Sequence, residues 1–400
     1  MVSVAGTQVS TLAMPTIAVL VLRAPPLAVS ALFAVAYGAQ AASVPFAGVL
    51  VDSVRSLRRL LIVVDLLQVL VVGSVPVSRA LSLLSLPVLF GVAALSGGLG
   101  GLTGIAIRAF AARGVAPADV LAGNAVITGA RTAGQVPGPA LAGWLIQALG
   151  VVTAVAADAA SYLLSALICL RLPVAAGPAG RAGRGLRADR RSLREGLAVL
   201  AGSPALIRLT VADSALNLGG AAIGSLYVLY AFRILGLKPG ALGTVLVVQN
   251  AAALLAVATA TRVSRRIGLE RVVPVFAPAA AAALLLIPAA SWLAPLAVLG
   301  CYGAIFGYCT TVWAIGSVSL EQLLVPPGQI GRVIALSRVV SLVVIPAGAL
   351  GGGALADLWG TRPTLLAAAL AALAGTLTVA GRPSTWRPGT REGGLADPKA

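Results

Sequence analysis

Histidine is absent from this 400-residue sequence, and lysine occurs only at Lys238 and Lys399. Without histidine the chain lacks the commonest general base and metal ligand of proteins. Neither lysine stands in the G-x-x-x-x-G-K-[ST] context of a nucleotide-binding loop, which argues against an ATP-driven machine on this chain. We therefore predict no catalytic residues, no metal site and no cofactor.

Charged and thiol-bearing residues are also scarce. Charged side chains make up 10% of the chain, against about 25% in a soluble domain. The three cysteines, Cys169, Cys301 and Cys309, lie within apolar runs and are interpreted as small packing residues. With 59% hydrophobic residues and a mean hydropathy of +0.99, the sequence has too little polar surface for water. It predicts a protein solvated by lipid.

Apolar runs that are long enough to cross a bilayer, about 20 residues each, fall into two groups of six. This pattern predicts an all-α integral membrane protein with twelve transmembrane helices in two pseudo-symmetric six-helix bundles. The predicted spans are 4–22, 27–51, 60–78, 83–107, 122–148, 151–170, 206–232, 241–261, 272–290, 294–318, 333–356 and 363–380. The predicted domains are an N-terminal bundle (1–170), a basic cytoplasmic linker (171–205), a C-terminal bundle (206–380) and a disordered cytoplasmic tail (381–400).

The basic residues predict the orientation of the chain. The formal net charge is +17, which in a soluble protein would suggest nucleic acid. Here the arginines lie mainly between apolar runs, so membrane topology explains them and no nucleic-acid partner is predicted. If the amino terminus lies inside, most basic residues fall on the cytoplasmic side, as the positive-inside rule requires. We expect a cytoplasmic-membrane protein with both termini in the cytoplasm.

The fifth and eleventh predicted spans resemble each other. Arg131 precedes Pro139 by the same number of residues as Arg338 precedes Pro346, and small residues follow both prolines. Equivalent positions in two sets of six support duplication of a six-helix unit, although coincidence in an Ala/Gly/Val-rich chain would also produce such a match. Repeats of this kind place a binding cavity between the halves, near the middle of the bilayer.

The loop after the second span resembles a signature of the major facilitator superfamily, as do the two sets of six spans over the full length. The residues that carry it are Gly48, Asp52, Arg55, Arg58 and Arg59. The resemblance implies that the Asp and the basic residues link helix ends on the cytoplasmic side and gate the rocking of two bundles. Ser53 stands where the family has a basic residue.

Within the superfamily the sequence is similar to exporters of the enterobactin and macrolide type. Four segments carry this similarity: Gly6-TQVSTLAMP, Arg131 to Gly143, Asp158-AASYLLSAL and Gly331-Arg332-V. The resemblance implies proton-coupled efflux of a small amphipathic molecule, such as a drug, antibiotic or siderophore-like compound, by a monomer. Thr7 replaces the Asp of related exporters, and the stretch after Gly91 lacks the arginine that drug antiporters often carry in the fourth span.

Small residues and prolines mark the fifth and eleventh spans as sites of close packing and kinking. The positions are Gly134, Gly138, Pro139, Gly143 and Pro346.

Ionisable residues within spans are costly and therefore candidates for function. The hypothesis is that Asp213 carries the coupling proton, with Arg338 or Arg131 adjusting its proton affinity. Asp158 resembles a structural position that bonds a neighbouring helix. Asp65 and Arg208 lie near predicted span ends, where their charges are expected to reach the interface or pair there.

Polar and aromatic residues in the spans are candidates for an apolar substrate cavity that carries a few polar groups. They are Tyr37, Gln40, Asn217, Tyr227, Gln249, Asn250 and Trp313. Each is also compatible with helix packing. The sequence leaves open an uptake carrier or facilitator of the same fold, and a membrane scaffold or sensor that transports nothing.

Overall fold

The computed structural model describes residues 2–54, 56–114, 134–171, 201–325 and 330–380. These residues are helical almost throughout and contain no strand. The twelve main helices of the described residues are α1 (Val2–Thr16), α2 (Pro26–Ser53), α3 (Leu57–Ala80), α4 (Leu86–Gly114), α5 (Gly138–Leu149), α6 (Val151–Leu170), α7 (Pro204–Leu229), α8 (Pro239–Ile267), α9 (Leu269–Ala283), α10 (Pro295–Leu324), α11 (Ile330–Trp359) and α12 (Thr361–Thr376). A short helical turn, Leu286–Ala289, lies between α9 and α10. The predicted fold class is confirmed. Most of the predicted linker and the whole predicted tail lie outside the described residues.

Most of these helices are long and apolar enough to cross a membrane. Within the described ranges, nine helices meet that criterion, and α1, α5 and α11 contribute shorter apolar stretches. Large hydrophobic side chains also face outwards: Phe46, Leu70 and Val343 are 76%, 70% and 67% exposed. Such a surface would be unstable in water and suits the hydrocarbon core of a bilayer.

The two halves of the chain pack their helices in the same way. In the first half α1 contacts α5 and α6, α2 contacts α4, and α3 contacts α4 and α6. In the second half α7 contacts α11 and α12, α8 contacts α10, and α9 contacts α10 and α12. The main contacts between the halves are those of α2 with α11 and of α5 with α8. Replacing each helix by its equivalent in the other half turns one of these contacts into the other. This is the packing expected of two six-helix bundles related by a pseudo-twofold axis.

The first helix of each half ends in the same local structure. The π-helical turns Ile17–Val21 and Tyr230–Ile234 close α1 and α7. A residue with positive φ follows, Arg23 in the first half and Gly236 in the second. A proline then opens the next helix in both halves, a position at which its missing N–H is not needed. The repeat therefore extends to single residues, beyond the match between α5 and α11.

Because the helices alternate in direction, the bundle has two distinct ends. We call the end formed by the α1–α2, α3–α4, α5–α6, α7–α8, α9–α10 and α11–α12 turns the sealed end. The opposite end, where α2, α4, α8 and α10 finish, is called the open end.

Candidate functional site: a cavity between the two halves

A cavity of about 300 Å³ lies between α2, α4 and α11. Its lining is mostly small and apolar, with three polar side chains. The lining residues are Tyr37, Gln40, Ala41, Val44, Gly100, Gly101, Gly104, Ile105, Arg108 and Ile345. Tyr37 lies about 17 Å along α2 from the sealed end, at 1.5 Å per residue. The cavity therefore begins near the middle of the bundle and extends towards the open end.

The residues that form the cavity walls are spaced as one face of a helix, and several of them are glycines. Residues three, four and seven apart share one helix face, and both the α2 and α4 contributions follow this pattern. Gly101 allows the two backbones to approach, since a Cβ there would lie 2.8 Å from the carbonyl oxygen of Gln40. Gly100 and Gly104 leave open space, since a Cβ at either would meet nothing within 4 Å.

Two of the three polar side chains were predicted for the cavity. Tyr37 is 42% exposed and stacks on Phe33 with ring centroids 4.4 Å apart. Gln40, one turn further along, is also exposed.

The third polar side chain, Arg108, corrects the predicted end of the fourth span. The sequence suggested that this helix ends at 107, which placed Arg108 in a loop. In the structure α4 continues to Gly114, and Arg108 faces the cavity from within the helix. The apolar character of the residues after Arg108 lets the helix run on.

At the sealed end, a side chain from one half binds the start of a helix in the other half. The Gln147 side-chain oxygen accepts a hydrogen bond of 3.1 Å from the N–H of Gly240. The Asp357 carboxylate accepts one of 3.3 Å from the N–H of Leu27. Gly240 and Leu27 are each the second residue of their helix, where backbone N–H groups lack helical partners. We call this symmetric pair the crossed caps.

Three further hydrogen bonds join the halves between the sealed end and the middle of the bundle. Arg233 donates to the carbonyl oxygen of Val19 at 2.9 Å, which connects the two π-helical turns. The Ser30 and Ser225 hydroxyls are 3.0 Å apart and buried. Asn250, a predicted cavity residue, instead donates at 2.9 Å to the carbonyl oxygen of Gln135, at the border of the described part of the fifth span.

Glycines bring the two halves into backbone contact at this end. A Cβ on Gly143 would lie 3.0 Å from the Cα of Gly243, and a Cβ on Gly353 would lie 3.0 Å from the Cα of Leu27. At either position an added Cβ would require the neighbouring helix to shift. The α5–α8 and α2–α11 crossings therefore depend on glycine. Among the described residues, the hydrogen bonds and glycine contacts between α2 and α11 and between α5 and α8 reach from the sealed end to about the depth of Gly38 and Asn250.

The other residues of the predicted packing motif lie in the same helices. Gly134, Gly138 and Pro139 are buried at or just before the start of α5. Pro346 lies inside α11, with Gly38 of α2 as a neighbour.

Asp158 lies in a buried polar cluster within the first bundle. Its side chain is 1% exposed and accepts hydrogen bonds from Ser10 of α1 and Ser161 of its own helix. Thr7 of α1 bonds the hydroxyl of Tyr162 at 3.0 Å. These contacts join α1 to α6, which is where the sequence suggested a structural role for Asp158.

Asp65 corrects a second prediction. It was expected near a helix end with its charge at the interface, but it is only 4% exposed. It lies on α3, one face of which packs on α6, and it hydrogen-bonds Ser165 of α6. The cause is that α3 begins at Leu57, so Asp65 is more than two turns into the helix.

Asp213, the predicted coupling carboxylate, lies on α7 and is half-buried. It accepts a hydrogen bond of 3.0 Å from Asn217, one turn further along. Arg338 is a residue of α11, and Arg131 lies outside the described residues. Arg208 is half-buried in the second turn of α7.

The remaining predicted cavity residues are not among the described residues that line the cavity between α2, α4 and α11. Tyr227 of α7 and Trp313 of α10 are packed in the core, at 8% and 2% exposure. The ring of Tyr227 is 5.9 Å from that of Tyr302. The backbone of Gln249 on α8 packs against Gly307 of α10.

The predicted gating loop lies at the open end. Gly48 and Asp52 belong to the last turns of α2, and Arg58 and Arg59 to the first turn of α3. Ser56 caps α3 by accepting a hydrogen bond from the N–H of Arg59. Arg55 lies outside the described residues.

The sequence profile of the Major Facilitator Superfamily matches residues 1–349. The chain therefore belongs to the Major Facilitator Superfamily. Together with the apolar helices, this makes it a multi-pass membrane transporter, whose surroundings are the lipid bilayer and whose ligand is a small molecule. Proteins of this family are generally carriers rather than enzymes. No curated protein is significantly similar to the chain in sequence.

Solved structures share the fold at low sequence identity. An inward-facing bacterial homologue of the iron transporter ferroportin has a TM-score of 0.71 at 17% identity, over 95% of this chain and 96% of that one. The nucleoside transporter NupG has a TM-score of 0.71 at 12% identity, over 94% and 95%. A bacterial homologue of the human lysosomal transporter Spinster, inward-facing and occupied, has a TM-score of 0.69 at 12% identity, over 94% and 93%.

Proposed function

We propose that this protein is a monomeric secondary transporter that moves a small amphipathic molecule by alternating access. The observation that carries the proposal is the cavity between α2, α4 and α11, which lies between the two halves and extends from the middle of the bundle towards the open end. Among the described residues, the crossed caps hold the two halves together at the opposite, sealed end. Such an arrangement suits one of the two states of a rocking carrier.

The bundles of this carrier are residues 1–170 and 206–380, joined by the basic linker. The sealed end faces the outside, and the open end, both termini and the linker face the cytoplasm. The positive-inside rule supports this orientation, because Arg58, Arg59, Arg265 and Arg266 all lie at the open end. The state is then inward-facing, as in the ferroportin and Spinster homologues.

The direction of transport is efflux across the cytoplasmic membrane, coupled to protons. The similarity to enterobactin and macrolide exporters supports this direction, and a cavity that faces the cytoplasm is the state in which an exporter loads its substrate. Asp213 is the coupling carboxylate. Its half-buried position supports access by water, whereas Asp158 is enclosed by its hydrogen-bond partners.

The test of the function is accumulation of a panel of labelled amphipathic compounds in cells that express the protein, with and without an uncoupler. Uncoupler-sensitive efflux supports the proposal. Equilibration of the compound that is insensitive to the uncoupler would indicate a facilitator. Accumulation instead of extrusion would indicate an uptake carrier. Absence of flux for every compound would favour a scaffold.

The test of the coupling residue uses proteoliposomes with an imposed pH gradient. Asp213→Asn should abolish gradient-driven transport while leaving exchange of substrate across the membrane. Glu270→Gln, in the first turn of α9, is the matched control. Undiminished gradient-driven transport by Asp213→Asn would remove Asp213 from this role.

A further inference from the structure

Electrostatics distinguishes the ligands that the cavity between α2, α4 and α11 can hold. Of the ten described residues that line it, Arg108 alone carries a charge, and no carboxylate is among them. Arginine stays protonated in proteins. A cationic ligand would meet an unfavourable like charge there, whereas an anionic ligand would meet a partner.

We propose that this cavity recognises an organic anion: a flat, largely apolar molecule that carries one carboxylate, with Arg108 as its binding partner. This assignment rests on the transport function proposed above and adds the chemical class of the substrate.

The guanidinium of Arg108 suits a carboxylate in geometry as well as in charge. Its planar fork donates two parallel hydrogen bonds to the two carboxylate oxygens, and such charge-assisted pairs are stronger than neutral ones. Arg108 is seven residues beyond Gly101 on the same face of α4, and both line the cavity. The bound carboxylate would therefore lie towards the open end.

The rest of the lining suits a flat apolar body. Tyr37, supported by its stack on Phe33, offers an exposed ring and a hydroxyl. On α4, Gly100 and Gly104 of the lining leave open space, since a Cβ at either would meet nothing within 4 Å. A volume of about 300 Å³ is at the lower end of the range for small-molecule sites, so the ligand has the size of one or two fused rings.

The experiment measures binding of three probes of nearly equal shape to the purified full-length protein at pH 7. They are 2-naphthoate, 2-naphthamide and 2-naphthylmethylammonium, which carry a negative, a neutral and a positive group. We expect 2-naphthoate to bind most tightly. Arg108→Gln should weaken 2-naphthoate at least about tenfold, the effect of one charged hydrogen-bond partner, and leave 2-naphthamide unchanged. Arg108→Lys should retain part of the preference.

Arg262→Gln is the matched control. Arg262 is exposed on α8, in the half of that helix nearer the open end, and is not among the cavity-lining residues. Arg262→Gln removes the same charge from the same end of the protein. Because Arg262 does not line the cavity, this variant should leave the preference for 2-naphthoate intact. Unchanged 2-naphthamide binding shows in addition that Arg108→Gln is folded.

The outcomes separate this inference from the transport function. Equal or tighter binding of the ammonium probe, full 2-naphthoate affinity in Arg108→Gln, or no binding of any probe overturns the anion site. Arg108-dependent binding of 2-naphthoate without flux in proteoliposomes leaves the anion site standing and overturns transport. Flux of neutral or cationic compounds that Arg108→Gln does not change overturns the anion site and leaves the transport function standing.

Discussion

Asp158 illustrates how a single buried carboxylate can organise a bundle. In the apolar interior an ionisable group persists only with hydrogen-bond partners, and Asp158 has one from α1 and one from its own helix. Its role follows from these partners: it holds α1 against α6 within one half.

The prediction for this residue concerns stability rather than transport chemistry. Asp158→Ala should lower the free energy of unfolding by about 1–3 kcal/mol, because the Ser10 and Ser161 hydroxyls lose a charged acceptor. Thermal unfolding in detergent measures the change. Ser161→Ala, which removes one of the two bonds, should cost less. A stable Asp158→Ala that has lost only proton coupling would instead assign the carboxylate to coupling.

Sequence reasoning at this scale identified Asp158, Tyr37 and Gln40, because polar residues in apolar runs stand out. It placed Arg108 outside the helix, since arginine ordinarily marks the end of a span. The signal that was available is the run of helix-forming, mostly apolar residues from Ala109 to Ala112, which allows α4 to continue. Hydrogen bonds to main-chain atoms, such as that of Arg233, leave no mark in the sequence.

At the scale of helices, the crossed caps are the most regular part of the interface. The Gln147 and Asp357 side chains lie in the last turn of α5 and α11, and each accepts from the second residue of a helix in the opposite half. An acceptor at a helix N-terminus is stabilising. Here the acceptor and the helix N-terminus belong to different halves, so the stabilisation exists only when the two halves are in contact at the sealed end. The crossed caps therefore favour the state in which this end is closed.

Removing the caps should favour separation of the sealed end. Asp357→Ala and Gln147→Ala should each destabilise the closed state by about 0.5–2 kcal/mol, and the double variant should approach the sum. Spin labels on Leu81→Cys and Leu293→Cys, in the α3–α4 and α9–α10 turns, report the distance across the sealed end after Cys169, Cys301 and Cys309 are replaced. Asp357→Asn keeps an acceptor and should have a smaller effect. Unchanged distance distributions in the double variant would contradict this role.

Glycine at the α5–α8 crossing gives the next prediction. Gly143→Val should prevent close approach to Gly243, and overpacking of about 1–3 kcal/mol would shift the balance between states about 5- to 150-fold. The same spin-label distances should lengthen, and transport should fall.

Gly91→Val is the control for this variant, because a Cβ on Gly91 meets nothing within 4 Å. It introduces the same side chain into a membrane helix at an open position. Equal loss of transport in both variants would mean that the effect is general to valine in these helices.

At the scale of the whole molecule, the proposed cycle requires the sealed end to open. Ser30 and Ser225 lie on opposite halves with hydroxyls 3.0 Å apart, and both are buried. In a background without the native cysteines, the pair Ser30→Cys and Ser225→Cys should form a disulfide under mild oxidation. The cross-link should stop transport, and reduction should restore it.

The two single variants, oxidised in the same way, should keep their transport and serve as controls. Full transport by the quantitatively cross-linked protein would exclude opening at this end.

The all-α membrane architecture was predictable because bilayer thickness limits helix length. This signal depends on composition over about 20 residues. The match between Arg131–Pro139 and Arg338–Pro346 indicated the repeat. What composition does not contain is the state of the proposed carrier, since in the proposed cycle the same helices pack in either of two ways. The crossed caps became visible only when the halves were seen together.

Four of the five hydrogen bonds described between the halves share a property that bears on how such a protein evolves. In each, one partner is main chain: Val19, Leu27, Gln135 and Gly240. A mutation at those four positions, proline at a donor aside, keeps the bonding group in the backbone. Divergence can therefore tune the preference for one state at Arg233, Gln147, Asn250 and Asp357, while the facing surface is free to vary. Relatives with dissimilar sequences could thus retain the same seal.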